Sequence, residues 1–316
     1  MNVKRLFKRI SIAVLSIVIL IFTSNFVLTS IEKKIYKVPG ELVEVHGENI
    51  HVYTKGNGEN TIVLLSGLGT AAPSLDFEPL INELSKDNKV VVVEHFGYGW
   101  SDITNKQRTV ENIVDEIRTA LKKANINGPY VLMPHSISGI YSMYYANKYP
   151  DEVKAIVGID CTLPKASKYF GESYPTFPTY MSYLAPSGIG RIALLIVSKN
   201  FLPISEPEIY SKENLKLTKK ISAWKGYNKN VVTEGNELES NINKTLDMAF
   251  PTDVPVLIFT REHSKIRTDG KTNLSFYKTY LKDLHKGEVV LLKGHHYLHW
   301  TCYNEISEKV NKFINE

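Results

Sequence analysis

Six short apolar runs separated by helix-patterned stretches set the architecture available to this chain. They are Thr61–Leu65, Lys89–Glu94, 130–133, Val153–Ile159, 255–259 and Gly287–Leu292. Each is too short for a typical helix and is apolar with little alternation, as strands covered on both faces require. Between and after them, 77–86, 110–124, 139–148, 273–284 and 305–313 read as helices. In 110–124 the residues Val110, Ile113, Val114, Ile117 and Leu121 form the three- and four-spaced stripe of a helix packed on a sheet. Strand and helix alternating in this way give an α/β fold with a mostly parallel sheet and right-handed crossovers. A hairpin, 41–46 and 49–54 around Gly47-Glu48, precedes the first buried strand. At 316 residues and 43% hydrophobic composition, the chain can bury one large core.

The alternation stops at Leu163 and resumes only at the 255–259 strand. The intervening stretch begins with prolines and aromatics, passes through the greasy segment Ile189–Val197 and ends in Asn- and Lys-rich helical sequence. So long a stretch is unsuited to a structureless loop, and it reads as a helical insertion covering the sheet edge. The first 37 residues hold Lys4, Arg5, Lys8, Arg9, Lys33, Lys34 and Lys37 against Glu32 alone, so this stretch carries +6, and with a formal charge of +5 overall the remainder carries −1. Residues 10–28 are free of charge, and as a helix they span roughly 28 Å, close to the thickness of a bilayer's hydrocarbon core. A secretory signal peptide starts the same way but has a shorter apolar region and a small-residue cleavage site, for which Thr29-Ser30 is a poor match. An uncleaved membrane anchor is favoured. Its denser basic cluster lies N-terminal, which puts the body on the extracellular side. The near-neutral body argues against a nucleic-acid partner.

Val131-Leu-Met-Pro-His-Ser-Ile-Ser-Gly-Ile-Tyr141 is the stretch with chemistry in it. An apolar strand ends on His135-Ser136, and Ser138-Gly139 opens a helix. A sharp turn between strand and helix lifts the turn residue's side chain clear and aims the next amides at the same space, which makes Ser136 the candidate nucleophile. The outer positions, Pro134 and Ser138, stand where a Gly-x-Ser-x-Gly turn has glycines. Ser66-Gly-Leu-Gly69 is a second glycine-rich turn at a strand's carboxyl end, the edge at which α/β sheets bind ligands. His295, His296 and His299 lack the spacing and carboxylates of a metal site. No Walker loop and no Gly-x-Gly-x-x-Gly occurs, so neither metal nor cofactor is expected. Cys161 and Cys302 exclude a disulfide scaffold, and either two free thiols or one pair is compatible with their spacing.

In order along the chain, Ser66-Gly67, Val92-Val-Glu-His-Phe-Gly-Tyr-Gly-Trp-Ser-Asp102, His135-Ser-Ile-Ser-Gly139 and His296-Tyr-Leu-His299 resemble landmarks of the α/β-hydrolase fold, with serine esterases and lipases as the nearest type. The charge-free run gives an anchor at 1–30, and the resemblance implies an α/β-hydrolase core at 31–162 and 252–316 and a helical cap at 163–251, lying between the strands that end at about 160 and start at about 254. It implies His296 as the base, and the backbone N–H groups of Leu68 and Ile137 as the oxyanion hole. The acid has two candidates. Asp160 ends the strand after the elbow helix, where some members of the fold carry their acid. Glu262 lies in Arg261-Glu-His-Ser264, where the family more often has an aspartate but this chain has Ser264. Asp160 is preferred. The implied activity is that of a membrane-anchored serine hydrolase cleaving a carboxylic ester through an acyl-enzyme, with a small acyl or ester substrate. A peptidase or thioesterase on the same triad, and a non-catalytic binding protein, are the alternatives.

Overall fold

The computed structural model describes residues 3–174, 176–197, 209–262 and 267–316. A long helix, α1 (Val3–Ile35), leads into strands β1 (Glu41–Val45), β2 (Glu48–Lys55) and β3 (Thr61–Leu65). Helices α2 (Pro73–Asp76) and α3 (Glu78–Leu84), strand β4 (Lys89–Glu94), helix α4 (Val110–Lys123), strand β5 (Tyr130–Pro134), helix α5 (Ser138–Lys148) and strand β6 (Val153–Ile159) follow. Among the described residues six α-helices then intervene: α6 (Ala166–Phe170), α7 (Leu184–Ser187), α8 (Ile189–Val197), α9 (Lys212–Lys225), α10 (Lys229–Asn236) and α11 (Leu238–Thr245). The chain ends with β7 (Val256–Arg261), α12 (Asn273–Leu281), β8 (Gly287–Leu292), α13 (Leu298–Thr301) and α14 (Tyr303–Asn315).

Among the described residues the strands form one eight-stranded sheet in the order β1-β2-β4-β3-β5-β6-β7-β8. The first two strands are antiparallel to their neighbours, and the rest run parallel. Alternate side chains of each central strand enter different cores. Ile62, Leu64, Val131 and Met133 pack with α3 and α14 on one face. Val63, Leu65 and Leu132 pack with α4, α5 and α12 on the other. This two-sided burial is why the runs read as continuously apolar. The α4 stripe is buried as its spacing requires, and Thr109 caps that helix by accepting from the Asn112 amide. The strand order reverses between β4-β3 and β5, which opens a crevice at the carboxyl ends of β3 and β5.

The hairpin turn is one residue earlier than the sequence suggests. His46 and Gly47 both have positive φ, 57° and 91°, and Val45 pairs with Glu48, the register of a two-residue turn with left-handed central residues. The apolar N-terminal helix also runs past residue 30, to Ile35. Almost none of its apolar length is covered by the rest of the chain, but Asn25 and Glu32 are buried against the inserted helices.

Candidate active site

The site is built on the turn from β5 to α5. Ser136 has φ 54°, a left-handed conformation that costs a non-glycine residue about 1–3 kcal/mol and persists only where surroundings impose it. Here both neighbouring strands do so. The His135 amide donates to the Leu65 carbonyl at 2.9 Å, the Ser136 amide to the Ile159 carbonyl at 3.3 Å, and the Thr162 amide to the Ser136 carbonyl at 2.7 Å. The turn is tight enough to need glycine on two sides. A Cβ on Gly67 would lie 2.9 Å from the Ser136 Cβ, and one on Gly139 would lie 2.5 Å from the Thr162 carbonyl oxygen. Gly139 thus provides the close approach that the usual motif assigns one residue earlier. Ser138 is accommodated there because its Oγ donates to the Ser66 carbonyl at 2.5 Å.

The loop after β8 delivers His296 to this turn. Its Nε2 lies 3.0 Å from Ser136 Oγ, and its Nδ1 lies 2.7 Å from Asp160 Oδ2. If Nδ1–H donates to the carboxylate, the Nε2 lone pair is free to accept from the serine hydroxyl. Asp160 also has positive φ, 40°, and its amide is held by the Phe259 carbonyl at 2.7 Å. Thr260 Oγ1 donates to Asp160 Oδ1 at 2.8 Å and accepts from Asn273 Nδ2 at 2.9 Å, so the carboxylate is fixed at both oxygens. Arg261 Nε stands 3.5 Å from Oδ2. Burial by itself would raise the Asp160 pKa. The hydrogen bond and charge of His296, the Thr260 hydroxyl and the Arg261 charge outweigh it and hold the carboxyl below its ordinary range.

Of the two acid candidates, then, the one beside His296 is Asp160. Glu262 is exposed, its amide bonded to the Leu292 carbonyl at 2.9 Å; Ser264 lies outside the described residues. His299 is buried behind the site, donating through Nε2 to Asp76 Oδ2 at 2.7 Å, and Trp300 Nε1 donates to Asp76 Oδ1 at 2.9 Å. His135 packs on the rings of His296, Tyr297 and His299, and its Nε2 donates to the His296 carbonyl at 3.1 Å. Burial, followed by the neighbouring His299 and His296, pushes its pKa well down, so it stays neutral. Leu68 follows Gly67, which packs closely against the Ser136 Cβ, and Ile137 directly follows the serine. A cavity of about 810 Å³ reaches Leu68 and His296 and is roofed by Met181, Leu184 and Leu194 of the insertion. Cys161 and Cys302 are both free and buried.

A family model described as the alpha/beta hydrolase fold matches residues 60–192. The chain has the α/β-hydrolase fold. Among solved structures, an epoxide hydrolase from Vigna radiata aligns with this α/β hydrolase at a TM-score of 0.66, covering 87% of this chain and 97% of its own, at 19% identity. That likeness is one of fold. The uncharacterized protein YbdG of Bacillus subtilis is 29% identical over 99% of this chain and 98% of its own length. The 2-(acetamidomethylene)succinate hydrolase of Mesorhizobium japonicum is 31% identical over 38% of this chain and 42% of its own.

Thr260, Asn273 and His135 escaped the sequence reading. Thr260 is placed by strand pairing: Ile159 pairs with Phe259, so the residues that follow, Asp160 and Thr260, stand side by side. Asn273 and His135 depend on tertiary contacts that no local pattern announces.

Two predictions follow from this packing. Gly139→Ala drives a methyl into backbone and should destabilise the fold by about 1–3 kcal/mol, readable as a lowered Tm. The second concerns His95, whose ring nitrogens have no partner among the described residues. Burial and then the Arg108 charge hold it down to about 3. Below its unfolded value of about 6.5 the unfolded chain binds more protons, so stability is lost as pH falls, by up to about 1.4 kcal/mol per unit. Asp160, with its lowered value, gives up its contribution only at still more acidic pH. The stability advantage of the parent over His95→Gln should therefore shrink between pH 6.5 and 4.5 in denaturation at stepped pH; a constant difference would mean that His95 takes up its proton as readily in the folded chain as in the unfolded one.

Proposed function

We propose that this α/β hydrolase is a membrane-anchored serine hydrolase that cleaves a carboxylic ester through an acyl-enzyme. The observation that carries this is the unbroken chain Ser136 Oγ, His296, Asp160, with contacts of 3.0 and 2.7 Å and the serine on a left-handed turn. A serine hydroxyl is a poor nucleophile until a base accepts its proton. Ser136 Oγ attacks the ester carbonyl while His296 Nε2 takes the proton. Asp160 holds the imidazole in the tautomer with Nδ1 protonated and stabilises the cation that forms. The amides of Leu68 and Ile137 receive the negative charge on the carbonyl oxygen, where losing one donor typically costs about 3 kcal/mol of barrier. His296 returns the proton to the departing alcohol, and water activated by the same imidazole releases the acid. No metal or cofactor is required by these steps.

Epoxide hydrolases of this fold use an aspartate at the elbow position, so the serine at 136 argues against that chemistry despite the shared scaffold. The cavity volume of about 810 Å³ suits a mid-sized organic substrate. Its roof by Met181, Leu184 and Leu194 favours an acyl group, and the insertion at 163–251 then acts as a cap. The α1 helix is the anchor: it is long and apolar enough to cross a bilayer, and its N-terminal basic cluster favours a cytoplasmic N-terminus with the body outside.

The full-length protein should react with a fluorophosphonate at Ser136, whereas a binding module would stay unlabelled. Ser136→Ala should fall to near-background esterase activity, by a factor on the order of 10⁶. Asp160→Asn should lower kcat by about 10⁴ with KM little changed, and Glu262→Gln should be mild. The reverse order for the two acids would move the role to Glu262. Protease added to intact cells should digest the body, and full protection would overturn the orientation.

A further inference from the structure

The cap helix α8 is apolar on two faces, and one of them has no protein against it among the described residues. Gly190, Ala193 and Leu194 line the cavity. On a helix that advances about 100° per residue, Ile192, Leu195 and Ile196 fall on the opposite side. Their exposures are 40, 72 and 79%. Three such side chains on one face of a short helix are unusual on a surface that meets only water. Tyr180 and Tyr183, in the turn Thr179–Tyr183 just before α7, are also exposed.

What lies beside this face identifies its surroundings. Arg191 is the charged residue of α8, and it is fully engaged by α1. Its guanidinium donates to Asn25 Oδ1 and Thr29 Oγ1, each at 2.9 Å, and to both Glu32 oxygens at 2.9 and 2.8 Å. Lys220 and Trp224 of α9 donate to the same Glu32 carboxylate at 2.5 and 2.8 Å. Asn25 Nδ2 reaches the Ala185 and Pro186 carbonyls of α7 at 3.1 and 3.2 Å, and a Cβ on Gly188 would lie 2.8 Å from the Asn25 Cβ. Asn25, Thr29 and Glu32 recur at four and three residues, so they form one stripe of α1. Asn25 sits about 4.5 Å inside the end of the charge-free run 10–28, and Glu32 about 6 Å beyond it. The clamp therefore straddles the level at which the anchor leaves hydrocarbon.

We propose that the outer face of α8, at Ile192, Leu195 and Ile196, is seated in the outer leaflet of the bilayer beside α1, so that the cap lies in the membrane surface. This rests on α1 spanning the membrane. A short helix lying in the interface plane, with its apolar side toward acyl chains, is a stable arrangement, and tyrosines favour the same depth. The Arg191 charge is compatible with that depth because Glu32 neutralises it there. The other side of α8 lines the cavity, so one helix separates the site from lipid.

The test uses the full-length protein in phosphatidylcholine vesicles, with an environment-sensitive fluorophore on single introduced thiols; the native Cys161 and Cys302 are buried. Leu195→Cys and Ile196→Cys test the face. Val18→Cys, in mid-anchor, tests the span, and Lys282→Cys is the water-exposed control. The first three should emit blue-shifted and be quenched several-fold more by phosphatidylcholine spin-labelled on its acyl chain than the control, which iodide should quench instead. Lipid quenching at 18 with iodide quenching at 195 and 196 would overturn the proposal and leave the anchor intact. Loss of lipid quenching at 18 would overturn the anchor and the proposal together. Labels at 195 and 196 shielded from iodide, indifferent to spin-labelled lipid and self-quenching between molecules would mean that a second copy of the chain covers the face, which also overturns it.

Discussion

A serine held at φ 54° must be restrained from more than one side, and the Ser136 turn is tied to the strands on either side of β5. The carbonyls of Leu65 on β3 and Ile159 on β6 accept from consecutive amides of the turn, while the Ser136 carbonyl accepts from Thr162. The hydroxyl is therefore positioned by the sheet as a whole. Burial on both faces keeps the sheet rigid, and the reversal of strand order beside β3 leaves room above the turn. The same arrangement explains the glycines at 67 and 139, since backbones approach the turn closely from both directions.

Asp160 extends the scheme to the next strand. Its own left-handed backbone turns the carboxylate back over the strand ends, where β7 contributes Thr260 to one oxygen and His296 occupies the other. A carboxylate fixed in this way cannot rotate without breaking a short hydrogen bond, so the imidazole it holds is oriented before any ligand arrives. This is the preorganisation that a proton-accepting histidine needs. It comes from two adjacent parallel strands ending in register, with little help from the loops between them.

The parallel strands were legible because two-sided burial leaves a one-dimensional trace, a short unbroken apolar run. The turn at Ser136 was legible for a related reason, since a strand ending directly in a helix leaves few residues to form it. The acid was not settled by pattern, because Asp160 and Glu262 both follow strands, and only the pairing of Ile159 with Phe259 brings one of them under the imidazole. The α8 helix was visible as greasy sequence, yet its two-faced character was hidden, because its apolar residues fall on both the cavity side and the outer side with Arg191 alone between them. Nothing in the local sequence singles out Asn25 and Glu32. Their meaning depends on Arg191, more than 150 positions away, which no local window can supply.

The likeness to epoxide hydrolases separates scaffold from chemistry. At 19% identity a TM-score of 0.66 says that the fold is shared, and the fold hosts more than one reaction. The residue at the top of the elbow then decides what can happen there. A carboxylate in that position is already an anion at neutral pH and can attack without surrendering a proton. A hydroxyl cannot, and needs a base within hydrogen-bonding reach whose own second nitrogen is held by an acceptor. His296 at 3.0 Å from Ser136 and 2.7 Å from Asp160 meets both conditions. Because a serine without such a partner would be inert, the two contacts and the residue identity have to be read together, and together they favour acyl transfer over attack by a carboxylate.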